Sequence, residues 1–344
     1  MITTKRPEFK HIILKNKLKV AVLGGGSWAT ALIKILIENK RNIGWYMRSE
    51  KNKEFIERNQ HNPKYLTSTT LKTKRLKIST DINFVVKKAD IVIVAIPSAF
   101  IKEEFSKLQI SLKNKIVVSA VKGVIPDNMK IPGTFFHEDF EVPLDRIGVI
   151  CGPCHAEEVA MEKLSYLTVA SQNQTYAKCI AAMLKTKYIR TKASNDIIGT
   201  EYAAMLKNIY AIAAGIAHGL GYGDNFQSVL MTNAIRETKR FIKDVHKMKR
   251  NINNSAYLGD LLVTGYSVFS RNRTFGNMIG KGYTVKAAQL EMSMIAEGYY
   301  ASKSARIINS EFKTQTPIIE AVYLILYERK NAQKVFDKLV KKLN

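Results

Sequence analysis

Several residue types are scarce in this chain of 344 residues, and each scarcity excludes a class of protein. Three cysteines are too few, and odd in number, for a disulfide framework, which indicates a reducing compartment. The 8 prolines and 19 glycines exclude a collagen-like or low-complexity chain. Acidic residues number only 29 against 54 lysines and arginines, so the net charge is +25.

Long apolar runs are also missing. The strongest, at 91–100, is far shorter than the roughly 20 residues that a membrane span needs. The first 17 residues contain no apolar core that would make a signal peptide. We therefore expect a cytoplasmic protein without stable membrane insertion.

The excess of positive charge has two interpretations. A basic surface attracts phosphates, nucleic acid or anionic membranes. The basic residues are scattered, for example at 72–77, 247–250 and 341–342, so we favour a generally basic surface and expect no nucleic acid as partner. The alternative is a nucleic-acid-binding protein with a vestigial nucleotide fold, whose DNA binding would weaken steeply with salt.

The two halves of the chain have different patterns. Short apolar runs alternate with amphipathic stretches in the first half, which predicts a doubly wound, Rossmann-type parallel sheet. We predict a domain of this α/β class over residues 1–198 and an all-α domain over 199–344, tightly packed at their boundary. The predicted strands are 19–23, 43–47, 91–96, 115–120, 147–150 and 166–170. The predicted helices of the second half are 201–217, 227–247, 287–309 and 317–328.

A glycine-rich turn follows the first predicted strand and precedes a helix. The turn reads G-x-G-x-x-A from Gly24 to Ala29. Gly24 permits a tight turn, Gly26 lets a pyrophosphate approach the backbone, and Ala29 lets helix and strand pack closely. The first domain is therefore predicted to bind a dinucleotide.

The end of the second predicted strand bears on the choice of cofactor. An acid is expected there for NAD, but Arg48 stands in its place. A guanidinium suits a ribose 2′-phosphate and also stacks on adenine. We favour NADP because of Arg48, and we expect NAD to be accepted as well because Glu50 lies only two residues further on.

One lysine and two cysteines of the middle region carry possible chemistry of their own. Lys207 lies on an otherwise apolar helix, where burial would lower its pKa and suit it to acid/base catalysis; alternatively, its stem covers the core while its ammonium reaches water.

Cys151 and Cys154 have the C-x-x-C spacing before a helix, which would lower the pKa of either thiol. We do not favour a redox site, since no Trp precedes Cys151. We also expect no metal site, because the sequence offers no second pair of ligands at zinc spacing to join Cys154 and His155.

Eight motifs in order resemble those of bacterial NAD(P)-dependent glycerol-3-phosphate dehydrogenases, over roughly residues 18–330. They are the turn at 24–28, the Pro-Ser strand end at 94–98, Lys-Gly at 122–123, the Gly-Pro turn at 152–158, the helix at 201–215, Gly-Asp-Leu at 259–261, Ser-Arg-Asn-Arg at 270–273 and Ala-Glu-Gly at 296–298. Related 6-phosphogluconate and 3-hydroxyacid dehydrogenases are the near alternative. Gly-Asp-Leu followed by Ser-Arg-Asn-Arg favours the glycerol-phosphate family.

The resemblance implies a homodimeric enzyme that reversibly reduces dihydroxyacetone phosphate to sn-glycerol 3-phosphate for phospholipid synthesis. It implies Lys207 as the catalytic acid/base and Lys122 as the lysine that polarises the carbonyl. The implied substrate-binding residues are Lys122, Gly152, Cys154, Lys207, Asn208, Asp260, Thr264, Ser270, Arg271 and Asn272. The implied cofactor-binding residues are Gly24, Gly26, Ser27, Trp28, Arg48, Lys122, Ala156, Arg271, Ile295 and Glu297.

Cys154 departs from the Ser or Thr that the family has in the Gly-Pro turn. A thiol beside the substrate, just before a helix, predicts loss of activity on mild oxidation or alkylation.

Overall fold

An eight-stranded sheet forms the first part of the computed structural model, which describes residues 18–39, 41–126, 128–292 and 296–344. The strands are β1 Val20–Leu23, β2 Ile43–Tyr46, β3 Leu76–Ser79, β4 Ile91–Val94, β5 Ile116–Ser119, β6 Ile147–Cys151, β7 Ser165–Ala170 and β8 Ile189–Ser194. Their order is β3-β2-β1-β4-β5-β6-β7-β8. Neighbouring strands are parallel except β6 and β7, which are antiparallel. The predicted doubly wound α/β class is confirmed, with a mixed rather than wholly parallel sheet.

Two strands, β3 and β8, were missing from the sequence-based prediction. Both lie at the edges of the sheet and carry polar residues, reading LKIS and IRTKAS. The central strands β1, β4, β5 and β6 are buried at every residue, and their continuous apolar runs made them easy to predict. An edge strand is covered on fewer sides, so its sequence keeps less of that signal.

Helices cover both faces of the sheet. They are α1 Ser27–Glu38, α2 Glu50–Asn59, α3 Ile82–Lys87, α4 Ile101–Phe105, α5 Pro132–Phe140, α6 Ala156–Ala160 and α7 Gln174–Leu184. One apolar core lies between the sheet and α1 and α7, and a second lies between the sheet and α3 to α5. The carboxyl ends of β1, β2, β4 and β5 are therefore left facing the helical half of the chain.

The remaining helices pack around one central helix, α8. They are α8 Ile197–Gly219, α9 Asp224–Val245, α10 Asp260–Tyr266, α11 Arg271–Gly280, α12 Val285–Glu291, α13 Glu297–Phe312, α14 Pro317–Leu326 and α15 Ala332–Val340. Helix α8 is buried along nearly its whole length. The approach of α11 depends on Gly276, because a Cβ there would lie 2.1 Å from the carbonyl oxygen of Ile212. No helix of the described ranges is both long and apolar enough to cross a membrane.

The predicted helix over 287–309 was wrong in one respect: the structure has two helices there. Met292 and Ala296 have extended backbones, with ψ of 123° and 98°, between the end of α12 and the start of α13. The N–H of Gly298 donates to the Asn272 side chain at 2.8 Å. This tertiary hydrogen bond fixes the start of α13 against α11.

A buried carboxylate joins α8 to α5 and leads to a prediction about pH and stability. Both oxygens of Glu201 accept the N–H of Gly133, at 3.0 and 3.1 Å, and burial raises the pKa of Glu201 to about 8. This pKa lies above the value of about 4.3 that a Glu has in an unfolded chain. The contribution of Glu201 to stability is therefore complete below a pH of about 4.3 and is lost as the pH rises to about 8.

We therefore expect Glu201→Gln to gain stability relative to the wild type as the pH rises from 5 to 8, by a few kcal/mol. Urea unfolding at the two pH values measures the difference. Glu54→Gln, at an exposed position of α2, is the control and should show no such trend. Equal differences at both pH values for Glu201→Gln would contradict the prediction.

Candidate active site

A cleft of about 710 Å³ lies between the carboxyl ends of the strands and the helical half. This is the edge at which open parallel sheets bind ligands. The sequence-predicted residues that line it are Gly24, Gly26, Ser27, Trp28, Arg48, Lys122, Cys154, Ala156, Lys207, Asn208, Thr264, Ser270, Arg271, Asn272 and Glu297. Gly152 and Asp260 lie behind the cleft wall, and Ile295 falls outside the described residues.

The glycine-rich turn has the shape that a dinucleotide requires. Gly24 has φ of +127°, and a Cβ there would lie 2.4 Å from the carbonyl oxygen of Ala95. The indole N–H of Trp45 donates to the Gly24 carbonyl at 2.7 Å and fixes the turn. Gly26 has nothing within 4 Å of its Cβ position, and α1 begins there without a side-chain cap. Open space before uncapped N–H groups fits a pyrophosphate, so these residues are suited to hold NAD or NADP.

The residues near the end of β2 only partly match the expectation. Arg48 lines the cleft, with its guanidinium 5.0 Å from the centre of the Phe100 ring. Glu50 does not line it: this carboxylate binds Thr80 at 2.8 Å and Lys53 at 2.6 Å instead. Helix formation by α2 turns Glu50 away from the site where an NAD-binding acid would lie.

Lys207 and Asp260 form a buried ion pair at the inner wall of the cleft. Their side chains are 4% and 2% exposed, and only Lys207 reaches the cleft. The backbone N–H of Gly152 donates to Asp260 at 3.4 Å, and Thr264 donates its hydroxyl to the Asp260 carbonyl at 2.6 Å. Burial and the charge of Lys122 lower the pKa of Lys207 to about 8 against the opposing effect of Asp260. The lysine can therefore both give and take a proton near neutral pH.

Two asparagines connect this pair to the sheet and to α13. The Asn208 amide donates to the carbonyl of Lys122 at 2.7 Å, and Asn272 donates to Asn208 at 3.0 Å. Asn272 accepts the N–H of Gly298 at 2.8 Å. Lys122 is thereby held with its ammonium 5.4 Å from the centre of the Trp28 ring, on the cleft side.

A second set of contacts crosses the cleft rim. Glu297 accepts the backbone N–H of Ser98 at 3.1 Å and also its hydroxyl, and burial raises the pKa of Glu297. Ser270 accepts the N–H of Arg273 at 3.3 Å and so caps α11, while Arg271 is exposed beside it. The start of α11 thus presents a cation and a helix N-terminus to the cleft, which suits an anion.

Two family models match the chain, namely the N-terminus of NAD-dependent glycerol-3-phosphate dehydrogenase over residues 19–177 and its C-terminus over residues 196–337. The chain belongs to the NAD-dependent glycerol-3-phosphate dehydrogenase family. It is thus an NAD(P)-dependent oxidoreductase, and the family resemblance predicted from the motifs is confirmed.

Individual relatives of this family agree with the assignment. A glycerol-3-phosphate dehydrogenase (NAD(P)+) of Bacillus pumilus is 33% identical over 324 residues, which cover 94% of each chain. One of Fusobacterium nucleatum is 32% identical over 94% of this chain and 96% of its own. The crystal structure of glycerol-3-phosphate dehydrogenase from Coxiella burnetii has a TM-score of 0.87 and 26% identity, covering 94% of this chain and 99% of that one.

His155 lines the cleft of this family member, although sequence reasoning considered it only as a metal ligand. Its Nε2 is buried and has no hydrogen-bond partner among the described residues. Burial and the charges of Lys122 and Lys207 lower the pKa of His155 to about 4, so the imidazole is neutral. Its place in the Gly-Pro turn was the signal that could have identified it. Phe100 and Glu104, which also line the cleft, gave no comparable signal.

The expectation of low thiol pKa values at Cys151 and Cys154 was wrong. Both thiols are 3% exposed, and burial raises the pKa of each to about 12. Helix α6 has only five residues, so the field at its N-terminus does not overcome the cost of burying a thiolate.

This correction reverses the predicted chemical sensitivity of Cys154. Its thiolate fraction should be about a thousandfold below that of a free cysteine, so iodoacetamide at pH 7.5 should modify it slowly until urea unfolds the chain. Peptide mass spectrometry measures the modification, with the half-buried Cys179 as internal comparison. Cys154→Ser should keep activity within about tenfold. Rapid loss of wild-type activity that Cys154→Ser resists would contradict the burial argument.

Proposed function

We propose that this protein interconverts dihydroxyacetone phosphate and sn-glycerol 3-phosphate in the cleft, with NADP or NAD. The observation that carries the proposal is the buried Lys207–Asp260 pair, which reaches the same cleft as the glycine-rich turn. A cofactor cradle and an acid/base with a pKa near neutrality are the two requirements of a dehydrogenase site.

Reduction of a ketone requires a hydride at carbon and a proton at oxygen. The nicotinamide supplies or accepts the hydride when the cofactor is bound. Lys207 donates its proton to the alkoxide oxygen in reduction and removes the hydroxyl proton in oxidation. Asp260 stabilises the ammonium form of Lys207 and limits where Nζ can lie, so the proton is delivered from one fixed direction.

The other polar residues of the cleft orient the substrate. Lys122, held through its carbonyl by Asn208, adds positive charge where the alkoxide develops and so stabilises the transition state. Arg271, Ser270 and Asn272 at the start of α11 are suited to the substrate phosphate, because a guanidinium, a hydroxyl, an amide and a helix N-terminus meet there. Cys154 and Thr264 complete the wall that faces the substrate.

Most of the residues that would hold the cofactor belong to the sheet half, and Glu297 of α13 adds one from the helical half. Gly24, Gly26, Ser27 and Trp28 of the turn and α1 are placed for the pyrophosphate, and Ala156 lines the opposite wall. Glu297 lines the cleft and binds Ser98 at the Pro-Ser strand end. This position supports the proposed contact between Glu297 and the cofactor. A preference for NADP over NAD rests on Arg48.

Four finer proposals rest mainly on the family resemblance. The chain divides at residue 198, which is supported by the change from sheet to helix close before it: β8 ends at Ser194 and α8 begins at Ile197. It forms a homodimer. It acts in the cytoplasm, consistent with three free cysteines, and its product serves phospholipid synthesis.

Turnover tests the proposed reaction directly. Purified protein should oxidise NADPH when dihydroxyacetone phosphate is added, followed as loss of nicotinamide absorbance. Lys207→Met should lower kcat by at least about a hundredfold, since general acid/base catalysis is removed, while nucleotide binding persists as a check on folding. Lys243→Met, at an exposed position of α9, is the matched control and should remain active. No turnover with either nicotinamide would refute the proposal.

The pH dependence of kcat/KM tests the role of the ion pair. With a Lys207 pKa of about 8, reduction should slow as the pH rises through 8, because the donor loses its proton. Oxidation should speed up over the same range. Asp260→Asn removes the charge that favours the ammonium, so both profiles should shift to lower pH by about one unit or more. Profiles that Asp260→Asn leaves in place would assign the titration to another group.

A further inference from the structure

A buried acid lies at the end of the cleft where Arg48 is found. Glu104, in α4, is 1% exposed and lines the same cleft as Arg48. It accepts the hydroxyl of Tyr46, the last residue of β2, and the ammonium of Lys107 at 2.9 Å. The guanidinium of Arg48 lies 3.7 Å from the same carboxylate. An acid is therefore present beside the second strand, but it comes from a helix 56 residues further along the chain.

The carboxylate and an aromatic ring together determine where the guanidinium lies. Arg48 stands over Phe100 with 5.0 Å between guanidinium and ring centre, and its side chain is 54% exposed. One side of the guanidinium thus contacts the ring, its edge faces Glu104, and the remainder is open to the cleft. The arginine is held in a position suited to stack on a base, with part of its charge already engaged by the carboxylate.

Two further side chains contact the carboxylate of Glu104. Burial and the carboxylate raise the pKa of Tyr46, so the phenol remains a proton donor to Glu104. Lys107 is half exposed and neutralises part of the charge from the solvent side. Glu50, the acid nearest to Arg48 in sequence, is bound to Thr80 outside the cleft and cannot serve instead.

We propose that Glu104 is a specificity-determining residue for the cofactor, which holds Arg48 and opposes a ribose 2′-phosphate. A 2′-phosphate must compete with Glu104 for the guanidinium and is repelled by the carboxylate. An uncharged 2′-hydroxyl meets neither obstacle. The pair therefore moderates the preference for NADP that Arg48 alone would give, and keeps NAD acceptable.

Equilibrium binding of NADPH and NADH, followed by nicotinamide fluorescence without substrate, tests the proposal. Glu104→Gln keeps the size and the acceptor for Tyr46 but removes the charge. It should tighten NADPH binding by about fivefold to twentyfold and change NADH binding by less than about threefold. Because no substrate is present, the result is independent of whether dihydroxyacetone phosphate is turned over.

The matched control is Glu103→Gln on the same helix. Glu103 is 62% exposed, lies 3.8 Å from Lys107 and does not line the cleft. Its substitution removes the same charge and should leave the ratio of the two dissociation constants within about twofold of wild type. An equal gain in NADPH binding from Glu103→Gln would reduce the effect to net charge and overturn the proposal.

Two further variants separate charge from folding. In an Arg48→Ala background, the part of the NADPH gain from Glu104→Gln that comes from competition for the guanidinium should disappear, and only the part that comes from relief of direct repulsion should remain. Lys107→Gln changes a half-exposed residue and leaves Glu104 less neutralised, so it should weaken NADPH binding relative to NADH. This variant provides the test if Glu104→Gln is unstable. The proposal would be overturned if the ratio of the NADPH and NADH dissociation constants stayed unchanged in both Lys107→Gln and Glu104→Gln. Equal changes in the two dissociation constants would overturn it as well, since they leave this ratio unchanged.

Discussion

The buried ion pair between Lys207 and Asp260 is the interaction on which the rest of the site depends. Removing two charges from water is costly, and the attraction between them offsets the cost only when further hydrogen bonds support both groups. The backbone N–H of Gly152 donates to the Asp260 carboxylate, and the Thr264 hydroxyl donates to the backbone carbonyl of the same residue. The turn before Asp260 is fixed in addition by Tyr257, whose hydroxyl donates to Asp196 at 2.5 Å, while Arg250 binds the same carboxylate at 2.8 Å. The ion pair is thus tied to the start of α8 as well as to the sheet.

The helical half must also keep a fixed position relative to the sheet half, since each half provides only part of the cleft. Asn208 binds the carbonyl of Lys122, and Glu297 binds Ser98, so two hydrogen-bonded links cross between the halves. The break between α12 and α13 serves the same end, because it brings Glu297 and Gly298 to the cleft. A continuous helix over this region would not present the N–H of Gly298 to Asn272.

The cleft separates two kinds of electrostatic environment. At the end that holds Lys207, burial and a neighbouring lysine bring the pKa of Lys207 to about 8 and keep His155 neutral. At the other end, Arg48 remains half exposed and shares a carboxylate with Tyr46 and Lys107. The first environment suits proton transfer, and the second lies where we propose that the ribose end of the nucleotide binds.

The sequence by itself determined the features that local pattern encodes. Continuous apolar runs predicted β1, β4, β5 and β6, and the spacing of Gly24 and Gly26 predicted the dinucleotide turn. The apolar helix around Lys207 left two interpretations of this lysine open, and the resemblance of the surrounding motifs to a family favoured the acid/base role. Only the tertiary structure decided the features that depend on distant partners. The polar edge strands β3 and β8 exist because a neighbour pairs with them, and the thiol pKa values at Cys151 and Cys154 follow their burial and not their place before a helix. Glu104 faces Arg48 only because β2 and β4 both end at one edge of the sheet. Burial and pairing between distant residues are set by the complete fold, so no local pattern carries them.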